Sequence, residues 1–224
     1  ATLLLFALLP VAASANEITV ENALTGNPSS EWDISGIGDP DIQGFSTDIS
    51  VDRGQTIDFK ISSASTYGIR IYRLGYYNGD GARFIADLGA GFAANVQTVP
   101  APEPVTGIVD CGAWTVSASW AVPGSAVSGI YIALLTRDGG GSSHIAFVVR
   151  DDASHSDLLF KTSDTTWQAY NVFGGNSFYQ GGAAGPPALN HASKLSYNRP
   201  FYTRGGGGPI EDWLFNAEYP MVRW

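Results

Sequence analysis

Ile69-Arg70-Ile71-Tyr72-Arg73-Leu74-Gly75-Tyr76-Tyr77-Asn78-Gly79-Asp80-Gly81-Ala82-Arg83 decides the fold class of this chain. Its first six residues alternate apolar and polar, the period of a strand with one face buried. Asn78-Gly79-Asp80-Gly81 then supplies residues that tight turns favour, because Gly and Asn accept positive φ. Outward from this stretch the same rule recurs. Gln43-Gly44-Phe45-Ser46-Thr47-Asp48-Ile49-Ser50-Val51 and Thr56-Ile57-Asp58-Phe59-Lys60-Ile61 alternate before it. Trp114-Thr115-Val116-Ser117-Ala118-Ser119-Trp120, Gly129-Ile130-Tyr131-Ile132-Ala133-Leu134 and His144-Ile145-Ala146-Phe147-Val148-Val149 follow it. Pro123-Gly124 and Ser128-Gly129 mark the turn before the penultimate strand. Short strands between turn signals, without helical periodicity, predict a mainly β fold. The expected architecture is an antiparallel β-sandwich, Ig-like or jelly-roll-like, over residues 16–150.

At Arg150-Asp151-Asp152-Ala153-Ser154 the pattern breaks into a polar connector. Leu158-Leu159-Phe160 beyond it is a continuous apolar run, as in a strand buried on both faces. Residues 162–179 then combine Trp167, Tyr170, Asn171, Asn176, Tyr179 and a Gly pair, too polar and Gly-rich for a core element. Two readings stand: a surface loop whose aromatics pack on a sheet below, or a site presented just past a strand end. Residues 174–208 form a long Gly-, Ser-, Asn- and Pro-rich stretch, with Gly205 to Gly208 its most flexible point. Pro209-Ile210-Glu211-Asp212-Trp213-Leu214-Phe215 opens like a helix, and Tyr219-Pro220-Met221-Val222-Arg223-Trp224 like another. Residues 151–224 therefore read as the N-terminal part of an α/β domain, incomplete in this chain.

The chain has 224 residues, a formal charge of -9, 15% charged residues, 12% aromatics and 27 Gly, a balance typical of an exported β-rich protein. Lys and Arg are scattered singly, which argues against nucleic acid, since phosphate contacts need clustered cations. Leu3-Leu4-Leu5-Phe6-Ala7-Leu8-Leu9-Pro10-Val11, followed by Ala13-Ser14-Ala15, reads as a partial signal peptide over residues 1–15 lacking its Met and basic start. It is too short to span a bilayer. The expected mature protein begins near Asn16 and is secreted or extracytoplasmic. Cys111 is the one cysteine, so no internal disulfide forms, and it reads as a small buried hydrophobe.

Several segments together resemble the N,N-dimethylformamidase large (beta) subunit family, in its secreted bacterial branch. They are Glu21-Asn22-Ala23-Leu24-Thr25-Gly26-Asn27-Pro28, residues 71–83, Ser163-Asp164-Thr165-Thr166-Trp167-Gln168-Ala169-Tyr170-Asn171, Ser196-Tyr197-Asn198-Arg199-Pro200-Phe201, and Glu211-Asp212-Trp213-Leu214-Phe215-Asn216-Ala217-Glu218-Tyr219-Pro220. The resemblance implies a β-sandwich followed by a Rossmann-like, glutamine-amidotransferase-like α/β domain. It also implies hydrolysis of a small linear amide by iron held by two Tyr phenolates and one Glu. Hard oxygen ligands suit an iron that polarises an amide carbonyl and activates water. By motif, Tyr170 and Tyr202 match the phenolates, with Tyr197 the fallback for the second. Trp167 and Asn171 are the candidate substrate contacts. The family's Glu lies in a further segment expected beyond Trp224, and Glu211 and Glu218 read as ordinary helix-start acids. A small subunit accompanies the family's characterised enzyme, which makes an oligomer an expectation.

Other chemistry is thinly marked. Gly175-Asn176-Ser177-Phe178-Tyr179 lacks the last Gly of a nucleophile elbow. His144, His155 and His191 lack metal-ligand spacing, and His144 is expected to face solvent or a neighbour. Asp39-Pro40-Asp41-Ile42-Gln43-Gly44 reads as a turn rather than a calcium loop. Trp32, Tyr76 and Tyr77 fit either a sugar-stacking platform or a core. The platform supports a second reading, a non-catalytic extracellular glycan- or protein-binding module.

Overall fold

The computed structural model describes residues 16–181, 190–205 and 213–224. The signal-like segment 1–15, most of the Gly205–Gly208 run and Glu211 lie outside the described residues. Among the described residues, eight strands form two sheets: β1 (Ile42–Ser46), β2 (Ser50–Asp52), β3 (Thr56–Ser63), β4 (Tyr67–Leu74), β5 (Ala82–Phe92), β6 (Ala118–Ala121), β7 (Gly129–Arg137) and β8 (Ser142–Arg150). One sheet has the order β1-β3-β6, the other β2-β8-β7-β4-β5. Short helices α1 (Glu17–Asn22), α2 (Ser29–Trp32), α3 (Asp164–Tyr170) and α4 (Tyr219–Arg223) complete the fold.

The alternation in the sequence becomes the packing. Ile57, Phe59 and Ile61 of β3 point one way, and each is at most 1% exposed. They meet Ile69 and Ile71 of β4 and Phe147 of β8 in one hydrophobic cluster shared by the two sheets. Phe59 lies edge-on to Phe147, and Trp120 tilts over Tyr131 at 5.8 Å between ring centres. Each such aliphatic side chain contributes about 2 kcal/mol by leaving water.

The five-stranded sheet is buried on its other face too. Tyr72, Leu74, Ile130, Ile132, Leu134 and Ala146 pack there against Trp32, Trp167, Phe201, Leu214 and Phe215. β7 therefore carries a continuous apolar run rather than a strict alternation. The described C-terminal segments supply Trp167, Phe201, Leu214 and Phe215 to that second cluster and are held directly on the sheet.

The structure corrects four expectations. Gln43–Val51 is not one strand: the chain turns after Ser46, whose hydroxyl donates to Asp48 O at 2.7 Å, and β2 enters the other sheet. There β2 runs parallel to β8, so the sheets are not purely antiparallel. Of Trp114–Trp120 only Ala118–Ala121 carries strand pairing, with Trp114 turned into a third small cluster beside Phe45, Val109, Cys111 and Phe173. Leu158-Leu159-Phe160 is not a buried strand: Leu158 is 77% and Leu159 93% exposed, and no described strand offers them backbone partners.

The Asn78–Gly81 turn forms as expected. Tyr77, Asn78, Gly79 and Gly81 all have positive φ, between 44° and 106°. The strained Tyr77 is completely buried and held by its hydroxyl, which donates to Glu21 Oε1 at 2.8 Å and accepts from Arg73 Nη1 at 2.9 Å. Arg83 donates to the same carboxylate oxygen at 2.7 Å. The first two resembling segments therefore meet in a buried charge network beside the sheet.

Candidate functional site

Residues 162–179 are partly built into the fold, with Trp167 packed against the five-stranded sheet as the first reading expected, while Phe178 and Tyr179 are 40% and 60% exposed. Ser163 to Asn171 wind into α3, and Trp167 (2% exposed), Gln168 (4%) and Asn171 (0%) face inward. The polarity that argued for a loop is satisfied internally. Asn171 Nδ2 donates to Pro200 O at 2.9 Å, and its Oδ1 accepts from Phe173 N at 3.2 Å. Trp167 stacks on Phe201 at 5.8 Å, and its indole N–H donates to Glu218 Oε1 at 2.9 Å.

Glu218 is the residue that sequence reasoning missed. It is no ordinary helix-start acid. It ends a π-helical turn, Leu214–Glu218, is 8% exposed, and also accepts from Ser163 N at 2.8 Å. Its Oε2 is buried with no hydrogen-bond partner among the described residues. Burial pushes its carboxyl above the usual carboxylate range, with nearby Asp164 adding to the rise against hydrogen bonds that lower it. The available signal was its place as the one acid in a stretch, Trp213 to Tyr219, that is apolar or aromatic apart from Asn216.

The two candidate phenols are half-buried on neighbouring segments. Tyr170 ends α3 and stacks on Tyr179 with ring centres 4.3 Å apart. Tyr202 packs against Trp213 at 6.2 Å, and burial raises its phenol above the usual value. The fallback, Tyr197, points elsewhere: it is 41% exposed and donates to Asp164 Oδ2 at 2.6 Å. The segments bearing Tyr170 and Tyr202 are tied together by Asn171 and by Arg199. Arg199, also missed, is wholly buried and donates to four main-chain carbonyls.

The remaining candidates resolve into structural roles. His144 faces neighbours, not solvent: it is 5% exposed, with Nε2 2.6 Å from Trp32 O and Nδ1 3.4 Å from Thr203 Oγ1. Burial holds its imidazole down at about 4. Asp39 makes a turn and a salt bridge, accepting from Asp41 N at 2.9 Å and from Arg137 at 2.8 Å. Cys111 is buried, and burial raises its thiol to about 11. Trp32 and Tyr77 are core residues, 2% and 0% exposed, so of the three aromatics only Tyr76 lies at the surface.

A cleft of about 410 Å³ lies where α2, the Asn78–Gly81 turn and α4 meet. Asp33, Asp80, Arg204, Tyr219 and Arg223 line it, and none of Trp167, Tyr170, Asn171 or Tyr202 does. Among the described residues, no three His, Cys, Asp or Glu side chains gather as a metal site, and no helix is long and apolar enough to cross a membrane.

A family model described as N,N-dimethylformamidase beta subunit-like, C-terminal, matches residues 68–224, more than half of the chain. No curated protein matches it.

Proposed function

The chain belongs to the N,N-dimethylformamidase beta subunit-like family, and from that membership we propose that it is part of an exported, iron-dependent hydrolase of small linear amides. The family match carries this reading. The donor chemistry supports it. Tyr170 and Tyr202 are half-buried phenols on two joined segments, and the Glu218 Oε2 is a buried oxygen without a partner among the described residues. Hard oxygen donors of this kind fit a Lewis-acidic iron. When bound, iron would supply polarisation of the amide carbonyl and activation of water.

The chain's own residues would do the rest. Tyr170 and Tyr202 would hold the metal as phenolates, with a carboxylate as the third ligand. Trp167 and Asn171, the expected substrate contacts, are occupied inside the fold by Glu218 and Pro200, so their contribution to substrate is shaping the ground beneath it.

The same reading takes the two sheets as a β-sandwich and residues 151–224 as the opening of a Rossmann-like α/β domain. It takes residues 1–15 as the remnant of an export signal. The activity is tested by incubating the full-length protein, loaded with iron, with N,N-dimethylformamide and following formate release. Formate formed in the wild type and lost in Tyr202→Phe supports the reading. No turnover of any small formamide, in a folded iron-loaded protein, overturns it.

A further inference from the structure

Arg199 is 0% exposed, and no carboxylate pairs with it among the described residues. Its two terminal nitrogens are fully used by the main chain instead. Nη1 donates to Phe173 O at 3.1 Å and Asn176 O at 2.8 Å. Nη2 donates to Gln168 O at 3.2 Å and Asn171 O at 3.0 Å. These carbonyls close the C-terminal end of α3 and the turn after it, where a cation is favoured by the helix dipole and by orphaned carbonyls. Burial nevertheless lowers the guanidinium to about 10, so the arrangement is costly to the fold.

The reverse link is equally buried. Asn171, 0% exposed, sends its Nδ2 back to Pro200 O at 2.9 Å. Phe201 completes the join by stacking on Trp167. Tyr170 lies between Gln168 and Asn171, two of the four residues gripped by Arg199, and Tyr202 lies three residues beyond Arg199. Only a planar fork with two donors on each arm reaches four carbonyls at once. A Lys ammonium is a point donor with three hydrogens and cannot.

We propose that Arg199, assisted by Asn171, is a positioning residue that fixes Tyr170 and Tyr202 relative to one another, an inference that rests on those two phenols being the site. It acts through the main chain that carries them.

The test uses the full chain labelled with 3-fluorotyrosine, its ten tyrosine signals followed by fluorine NMR and those of Tyr170 and Tyr202 assigned with Tyr→Phe variants. Arg199→Lys is expected to shift or broaden both signals while those of the sheet residues Tyr67 and Tyr131 stay in place. In the same variant, iron uptake, read by the visible iron–phenolate absorption, is expected to fall at least tenfold. A folded Arg199→Lys chain with both signals at their wild-type positions overturns the proposal. So does one whose iron absorption is unchanged. If Arg199→Lys does not fold, Asn171→Ser, which cuts the Pro200 link and leaves the main-chain carbonyls gripped by Arg199 in place, is read by the same criterion. A wild-type chain that takes up no iron, while the substitution still moves both signals, overturns the metal reading and leaves the positioning of the two phenols standing.

Discussion

The Trp167 indole N–H donates to Glu218 Oε1 at 2.9 Å, and this bond joins α3 to the π-helical turn across the outer face of the five-stranded sheet. Ser163 N donates to the same oxygen, so one carboxylate holds the N-terminal cap and the middle of α3. Glu218 has a folded-state carboxyl raised above its ordinary 4.5, and folding therefore favours the protonated form. The native state binds more protons than the unfolded chain above that value, so this group's contribution is fully present below pH 4.5 and is lost as pH rises through the folded value. Glu218→Gln is neutral at every pH. Thermal melts from pH 4 to 8 should show the variant gaining on the wild type as pH rises, and parallel curves would refute the assignment.

His144 has the opposite sign. Its folded value of about 4 lies below the ordinary 6.5, so the buried ring is neutral and the unfolded chain binds the extra proton between them. Its stabilisation is present above pH 6.5 and lost as pH falls toward 4, by an amount on the order of 3 kcal/mol. Denaturant unfolding at several pH values should show that loss in the wild type and much less of it in His144→Gln.

Glu21 anchors the network around the strained turn. Its Oε1 accepts from Tyr77 and from two nitrogens of Arg83, and it is 6% exposed. Glu21→Gln leaves the Arg83 guanidinium without its charge partner and weakens the acceptor of the buried Tyr77 hydroxyl, whose pKa burial raises to about 12. A loss of about 3 kcal/mol is expected, read as a lower denaturant midpoint with unchanged slope.

Gly81 has φ +86° and its carbonyl accepts from the Tyr219 hydroxyl at 2.9 Å. An added methyl group would run into that hydroxyl. Gly81→Ala should cost about 2 kcal/mol and lower Tm by roughly 4–8 °C in a chain of this size. Pairing it with Tyr219→Phe should return part of the loss, since the colliding oxygen is then gone.

The strands were legible wherever one face meets the core and the other does not, as in Ile57-Asp58-Phe59-Lys60-Ile61. Legibility failed where the chain is buried on both sides. Residues 163–171 and 196–203 look like loops because their polar side chains are conspicuous, but those side chains bond main-chain groups inside the fold. Long-range pairing of this kind has no period to read. Leu158-Leu159-Phe160 misled in the other direction, because an apolar run predicts a strand only when a neighbouring strand exists to pair with it. Of the candidate site, the segments carrying Tyr170 and Tyr202 could be found from motif residues. The roles of Glu218 and Arg199 could not, since each is defined by partners 23 to 55 residues away.

Iron content tests the central claim most directly. Elemental analysis of the full-length protein should find stoichiometric iron, retained in Tyr197→Phe and lost in Tyr170→Phe. A well-folded, metal-free protein, or one whose iron survives Tyr170→Phe and Tyr202→Phe, would contradict the assignment of these phenols as ligands.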